Sequence, residues 1–89
     1  MDAVVVGYTG TPLRPTHLAV RLPDGQVTLT RRLTTALRVQ VSPALRDSGP
    51  GRAARTPDGE QYTTCEHLTV EVEAGTTRHG AVTATRVRE

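Results

Sequence analysis

The most reactive side chains in this sequence cluster at Cys65, Glu66 and His67, with His17 and His79 elsewhere. A thiol beside an imidazole is the pairing used by cysteine nucleophiles. Alternate residues of a strand share a face, so Cys65 and His67 can point the same way. A buried structural thiol is the simpler reading, because nothing else completes a catalytic set. A zinc site needs about four ligands, usually in paired short spacings. The sequence has neither CxxC nor HExxH, so no metal is expected. It also has no GxSxG, no Walker-type phosphate loop and no lysine, which removes Schiff-base chemistry. Glu71 and Glu73 share one strand parity, and acid–base work would need surroundings that separate their pKa values. Pairing with arginines on a neighbouring strand is the simpler use. The chain therefore reads as a binding module with no cofactor and no catalytic residues, not as an enzyme on its own.

Binding chemistry rests on arginine. All eleven basic residues are Arg, and the formal net charge is +2. Arg makes bidentate contacts with phosphate. Arg14, Arg21, Arg31, Arg32, Arg78, Arg86 and Arg88 fall in loops and at strand ends, where they can reach phosphates. Glu66, Glu71 and Glu73 form an acidic stripe that any nucleic-acid face must avoid. Tyr8 and Tyr62 are too few aromatics for a surface that stacks single-stranded bases.

The elements that must position these arginines follow from periodicity. The chain has 89 residues, enough for one small domain spanning 1–89. It lacks Phe, Trp and Ile, and its Val, Leu and Ala suit short strands. Val4, Val5 and Val6 in succession predict a central strand with both faces apolar. Thr9 to Pro15 reads as a loop. Residues 17–22 and 26–30 alternate around Pro23-Asp24-Gly25, which predicts a hairpin. Leu33, Leu37, Val41 and Leu45 recur every four residues, a helical stripe capped by Thr34 or Thr35. Pro43 should start a second turn or end the first. Residues 47–64, rich in Gly, Pro, Thr and Arg, read as a long irregular loop containing the turn Thr56-Pro57-Asp58-Gly59. Leu68, Val70 and Val72 face inward on a fourth strand, and a turn at 74–77 leads to a last strand over 78–88. Val82 and Ala84 differ in parity from Val87, which calls for a bulge or an exposed strand end. The expected class is all-β with one short helix, in the order β-β-β-α-loop-β-β of a five-stranded OB barrel. The single cysteine excludes an internal disulfide and fits a reducing cytoplasm. No apolar run is long enough to span a membrane.

This order resembles the C-terminal OB-fold domain of ATP-dependent DNA ligases of the actinobacterial type. The residues carrying the resemblance are Asp2-Ala3-Val4-Val5-Val6-Gly7-Tyr8-Thr9-Gly10, Arg14-Pro15, Leu22-Pro23-Asp24-Gly25, Leu68-Thr69-Val70-Glu71-Val72, Arg78-His79 and Thr85-Arg86-Val87-Arg88. It spans essentially the whole chain. It implies a non-catalytic domain that closes around nicked or duplex DNA and contacts the backbone. The DNA-contacting candidates are Arg14, Arg31, Arg32, Arg78, Arg86 and Arg88. The implied partners are DNA and a separate nucleotidyltransferase chain. The family's adenylated lysine belongs to another domain, and a chain without Lys cannot form the lysyl–AMP intermediate. The family's closing motif runs past the paired arginines to an Asp and a basic residue, which do not follow Arg88 here. That departure puts the family's assistance to nucleotide transfer in doubt. The alternative reading is an OB scaffold that docks on a partner protein and has lost DNA binding.

Overall fold

A computed structural model of the chain describes residues 2–74 and 82–88. The elements are β1 (Asp2–Gly10), β2 (Pro15–Arg21), β3 (Val27–Leu29), α1 (Thr35–Asp47), β4 (Ala53–Arg55), β5 (Gln61–Ala74) and β6 (Val82–Arg88). β1 lies between β2 and β5, and β3 lies outside β2. β5 carries β4 against Gln61–Thr63 and β6 against Thr69–Ala74, on the edge that β1 leaves open. All these pairings are antiparallel. The sheet curls into a half-barrel. Its margins meet where Thr30, just past β3, forms a parallel bridge with Val82 of β6. The Arg31 N–H donates to the Val82 carbonyl at 2.8 Å across the same seam.

The alternating strands supply the core. Ala3 and Val5, Leu18 and Val20, Leu68, Val70 and Val72, and Val82 and Ala84 are all buried. The helix covers this face: Leu33, just before the cap, and Leu37, Val41 and Leu45 of α1 are at most 6% exposed, and α1 packs on β2, β5 and β6. Each such side chain contributes roughly 1.5–3 kcal/mol by leaving water. Thr34 caps the helix, its Oγ1 accepting the Leu37 N–H at 3.2 Å.

The class is therefore mostly β with one short helix, as the periodicities indicate, but the strand number and order differ from expectation. There are six strands among the described residues, because the supposed loop 47–64 contains β4 and the first residues of β5. Its turn is real: the Gly59 N–H donates to the Thr56 carbonyl and the Thr56 N–H to the Glu60 carbonyl, both at 2.8 Å, which joins β4 to β5 as a hairpin. The helix runs through Pro43. The ring removes only the donor to the Val39 carbonyl, and both residues lie on the exposed face, where water can satisfy that oxygen. β1 extends through Gly10, further than expected. It is central in the sheet, yet Val4 is 52% exposed, so only one of its faces is covered. Its pairing shifts register between Val5 and Gly7 on both sides. At Gly7 a side chain would overlap the Tyr62 ring and the Thr63 carbonyl. The expected bulge in the last strand is present: Glu71 pairs with Arg86 and Val72 with Ala84, which skips Thr85. The 74–77 turn lies largely, and Arg78 and His79 lie entirely, outside the described residues. No helix among the described residues is long and apolar enough to cross a membrane.

Candidate arginine-bearing binding surface

The described candidate arginines fall into three groups by what surrounds them. Arg86 and Arg88 sit on β6, where the register sets them beside acids. The Arg86 Nε–H donates to Glu71 Oε2 across the β5–β6 ladder. The Arg88 Nε lies 3.3 Å from Asp2 Oδ1. These pairs are exposed, so each is worth little. They still place a carboxylate beside each cation, which lowers its attraction for phosphate. Both arginines line an open groove against Gln40 of α1.

Arg31 and Arg32 are exposed and have no carboxylate partner among the described residues. Their backbone is held from both sides. The Thr30 N–H donates to the Leu18 carbonyl at 2.8 Å, the Arg31 N–H to Val82, and the Leu33 N–H to the Thr16 carbonyl at 2.9 Å. The buried Thr30 side chain reinforces this corner: its Oγ1 accepts the Leu18 N–H at 3.1 Å and donates to the Arg31 carbonyl at 2.9 Å. Two free guanidiniums thus project from a fixed main chain.

Arg14 closes the turn between β1 and β2. Its N–H donates to the Thr11 carbonyl at 3.1 Å. Gly10 enters this turn at φ +85°, and a Cβ there would meet the Arg14 carbonyl at 2.6 Å, so a side chain is excluded. The turn stands against α1, where Ser42 Oγ donates to the Pro12 carbonyl at 2.6 Å. Between turn and helix runs an open groove of about 570 Å³ lined by Leu13, Arg14, Arg38, Val39, Ser42 and Arg46, among others. Among the described residues no acidic one lines it. Arg38 and Arg46 escaped the sequence reading, which followed only the buried helical stripe. The same period places Thr35, Arg38, Val39, Ser42 and Arg46 together on the opposite face, so the signal was present. The Leu33–Thr16 hydrogen bond sets the 31–32 corner close in the chain to this groove.

The Cys65–His67 reading finds little support. Cys65 is buried, and its Sγ points at the Val5 carbonyl 3.9 Å away. Burial, helped by the Glu66 carboxylate, raises its pKa to about 11. A nucleophilic thiol needs the opposite shift. The His67 side chain lies outside the described set. His17 is half-buried, with Nδ1 2.9 Å from the Thr30 carbonyl. Among the described residues no three metal-ligating side chains cluster.

No family model, no curated protein and no solved structure matches this chain.

Proposed function

We propose that the chain is a non-catalytic nucleic-acid-binding module of the OB type, similar to the C-terminal domain of ATP-dependent DNA ligases. On this reading it holds nicked or duplex DNA through backbone phosphates. The observation that carries it is the 31–32 corner: two guanidiniums without a carboxylate partner among the described residues, on a backbone fixed at three points. The fixed main chain confines the ordering cost of a phosphate contact to the arginine side chains, whose planar guanidiniums match phosphate geometry. The OB assignment draws support from the curled sheet and from the parallel contact between Thr30 and Val82, which brings β3 beside the last strand. A helix inserted after the third strand also fits. β4 is then a small addition between that helix and the long strand. Arg14 borders the same region, whereas Arg86 and Arg88 are secondary, being already paired with Glu71 and Asp2. Fluorescence anisotropy of labelled nicked duplex, intact duplex and single strand, at low and near-physiological salt, tests the reading. Duplex binding that weakens with salt and falls in R31A/R32A is expected. Absence of binding at low salt would leave the scaffold as a protein-docking module.

A further inference from the structure

The groove between the β1–β2 turn and α1 has a composition that phosphate binding does not require. Among the described residues three large hydrophobics stand out as exposed: Val4, Leu13 at 68% and Val39 at 69%. Two of them line this one groove, beside Arg14, Arg38 and Arg46. A sugar-phosphate backbone gains little from contact with Leu and Val, since its charged oxygens demand donors. An apolar side chain flanked by carboxylates satisfies both halves of the surface. The groove is also held in shape: the Ser42–Pro12 hydrogen bond ties the turn to the helix, and the Arg38 guanidinium donates to Thr35 Oγ1 at 3.3 Å. A site fixed in advance loses less on binding.

We infer that this groove docks a protein segment of a partner chain, one that carries one or two large apolar residues flanked by Asp or Glu. The apolar anchor packs between Leu13 and Val39. The carboxylates pair with Arg14 and Arg46 at its ends and with Arg38 beside the anchor. Charge complementarity selects the occupant, because among the described residues three guanidiniums line the groove and no carboxylate does. The docking surface adjoins the 31–32 corner through Arg14, but its apolar anchor rests on Leu13 and Val39, so it does not depend on DNA binding at Arg31 and Arg32.

The test uses the full chain and a short labelled peptide with two Leu set among Asp and Glu. A second peptide replaces both Leu by Ser, and unlabelled duplex DNA serves as competitor. The Leu peptide is expected to bind, and the Ser peptide to bind at least about tenfold more weakly, the weight of one apolar anchor. L13D and V39D each should weaken the Leu peptide by about tenfold or more. Both sites are exposed, and thermal melts confirm that the variants remain folded. R31A/R32A should leave peptide affinity unchanged while lowering duplex affinity. Three results would overturn the inference. One is no binding of the Leu peptide. Another is equal binding of the Ser peptide, which would mark a bare anion site. The last is displacement of the peptide by duplex together with loss of duplex affinity in L13D, which would make the groove a nucleic-acid surface. Failure of duplex binding with peptide binding intact would refute the DNA reading alone.

Discussion

Replacing Arg31 and Arg32 by alanine should change the salt dependence of duplex binding by a predictable amount. Both side chains are exposed and without a carboxylate partner among the described residues, so each is free to neutralise a phosphate. Each phosphate contact on B-form DNA adds about 0.9 to the slope of log affinity against log salt. Removing both should flatten that slope by roughly 1.8. Between about 50 and 200 mM salt, wild type should then lose roughly tenfold more affinity than R31A/R32A. R86A/R88A provides the internal comparison. These arginines already face Glu71 and Asp2, so their removal should move the slope far less. Exposed pairs of this kind contribute about 0–1 kcal/mol each, so the double variant should stay folded. Anisotropy titrations at four or more salt concentrations give the slopes directly. An unchanged slope in R31A/R32A, with a flattened one in R86A/R88A, would show that ion pairing in the free protein does not decide which arginines meet DNA.

The fold supports further expectations. Gly10→Ala forces a side chain into a left-handed conformation and against the Arg14 carbonyl. It should cost about 1–2 kcal/mol or more, lowering Tm on the order of 5–15 °C in a thermal melt. Pro43→Ala restores an N–H opposite the Val39 carbonyl within α1 and should raise Tm, with no loss of duplex affinity. Cys65 should resist thiol-labelling reagents at neutral pH until the chain is unfolded by denaturant. Its pKa is raised from about 9 in the unfolded chain to about 11 in the fold, so the folded state holds its proton where the unfolded state has lost it. Stability should therefore be unaffected by this group below pH 9 and decline between pH 9 and 11. Cys65→Ser should remove much of that decline in denaturant titrations at stepped pH.

Periodicity revealed what the core demanded. The four-residue spacing from Leu33 to Leu45 and the alternations at Leu18–Val20 and Leu68–Val72 correspond to buried faces, because burial of those side chains dominates the local choice. Three features escaped for separate physical reasons. Three successive valines do not reveal whether a second layer covers them, and Val4 is left in solvent. Pro43 is disfavoured in a helix, but its four-residue neighbours Val39 and Asp47 lie on the wet side, so tertiary burial of Val41 and Leu45 outweighs the missing hydrogen bond. β4 is three residues of Ala and Arg with little periodicity to read, and it exists because the turn at Thr56–Gly59 folds it back on β5. Hairpin geometry, not side-chain pattern, makes that strand.

Arginine type and number could not separate the binding surfaces; strand register could. Arg86 falls opposite Glu71 only because the bulge at Thr85 advances β6 by one residue between Val72 and Glu71. The Thr85 hydroxyl itself donates to the Glu71 carbonyl at 3.1 Å, holding that advance in place. The same residue type at Arg31 and Arg32 meets no such neighbour, because the chain there has left the ladder and is fixed by backbone bonds to Val82 and Thr16. Register thus consumes two cations within the sheet and leaves two at its seam. On α1 the helical period turns Arg38 and Arg46 away from the core stripe and toward Leu13 and Arg14. The sequence lists one kind of base eleven times; among the described residues the fold separates Arg86 and Arg88, which are paired, from Arg31 and Arg32, which are free, and from Arg14, Arg38 and Arg46, which are flanked by apolar side chains, and it leaves the last two groups open to a partner.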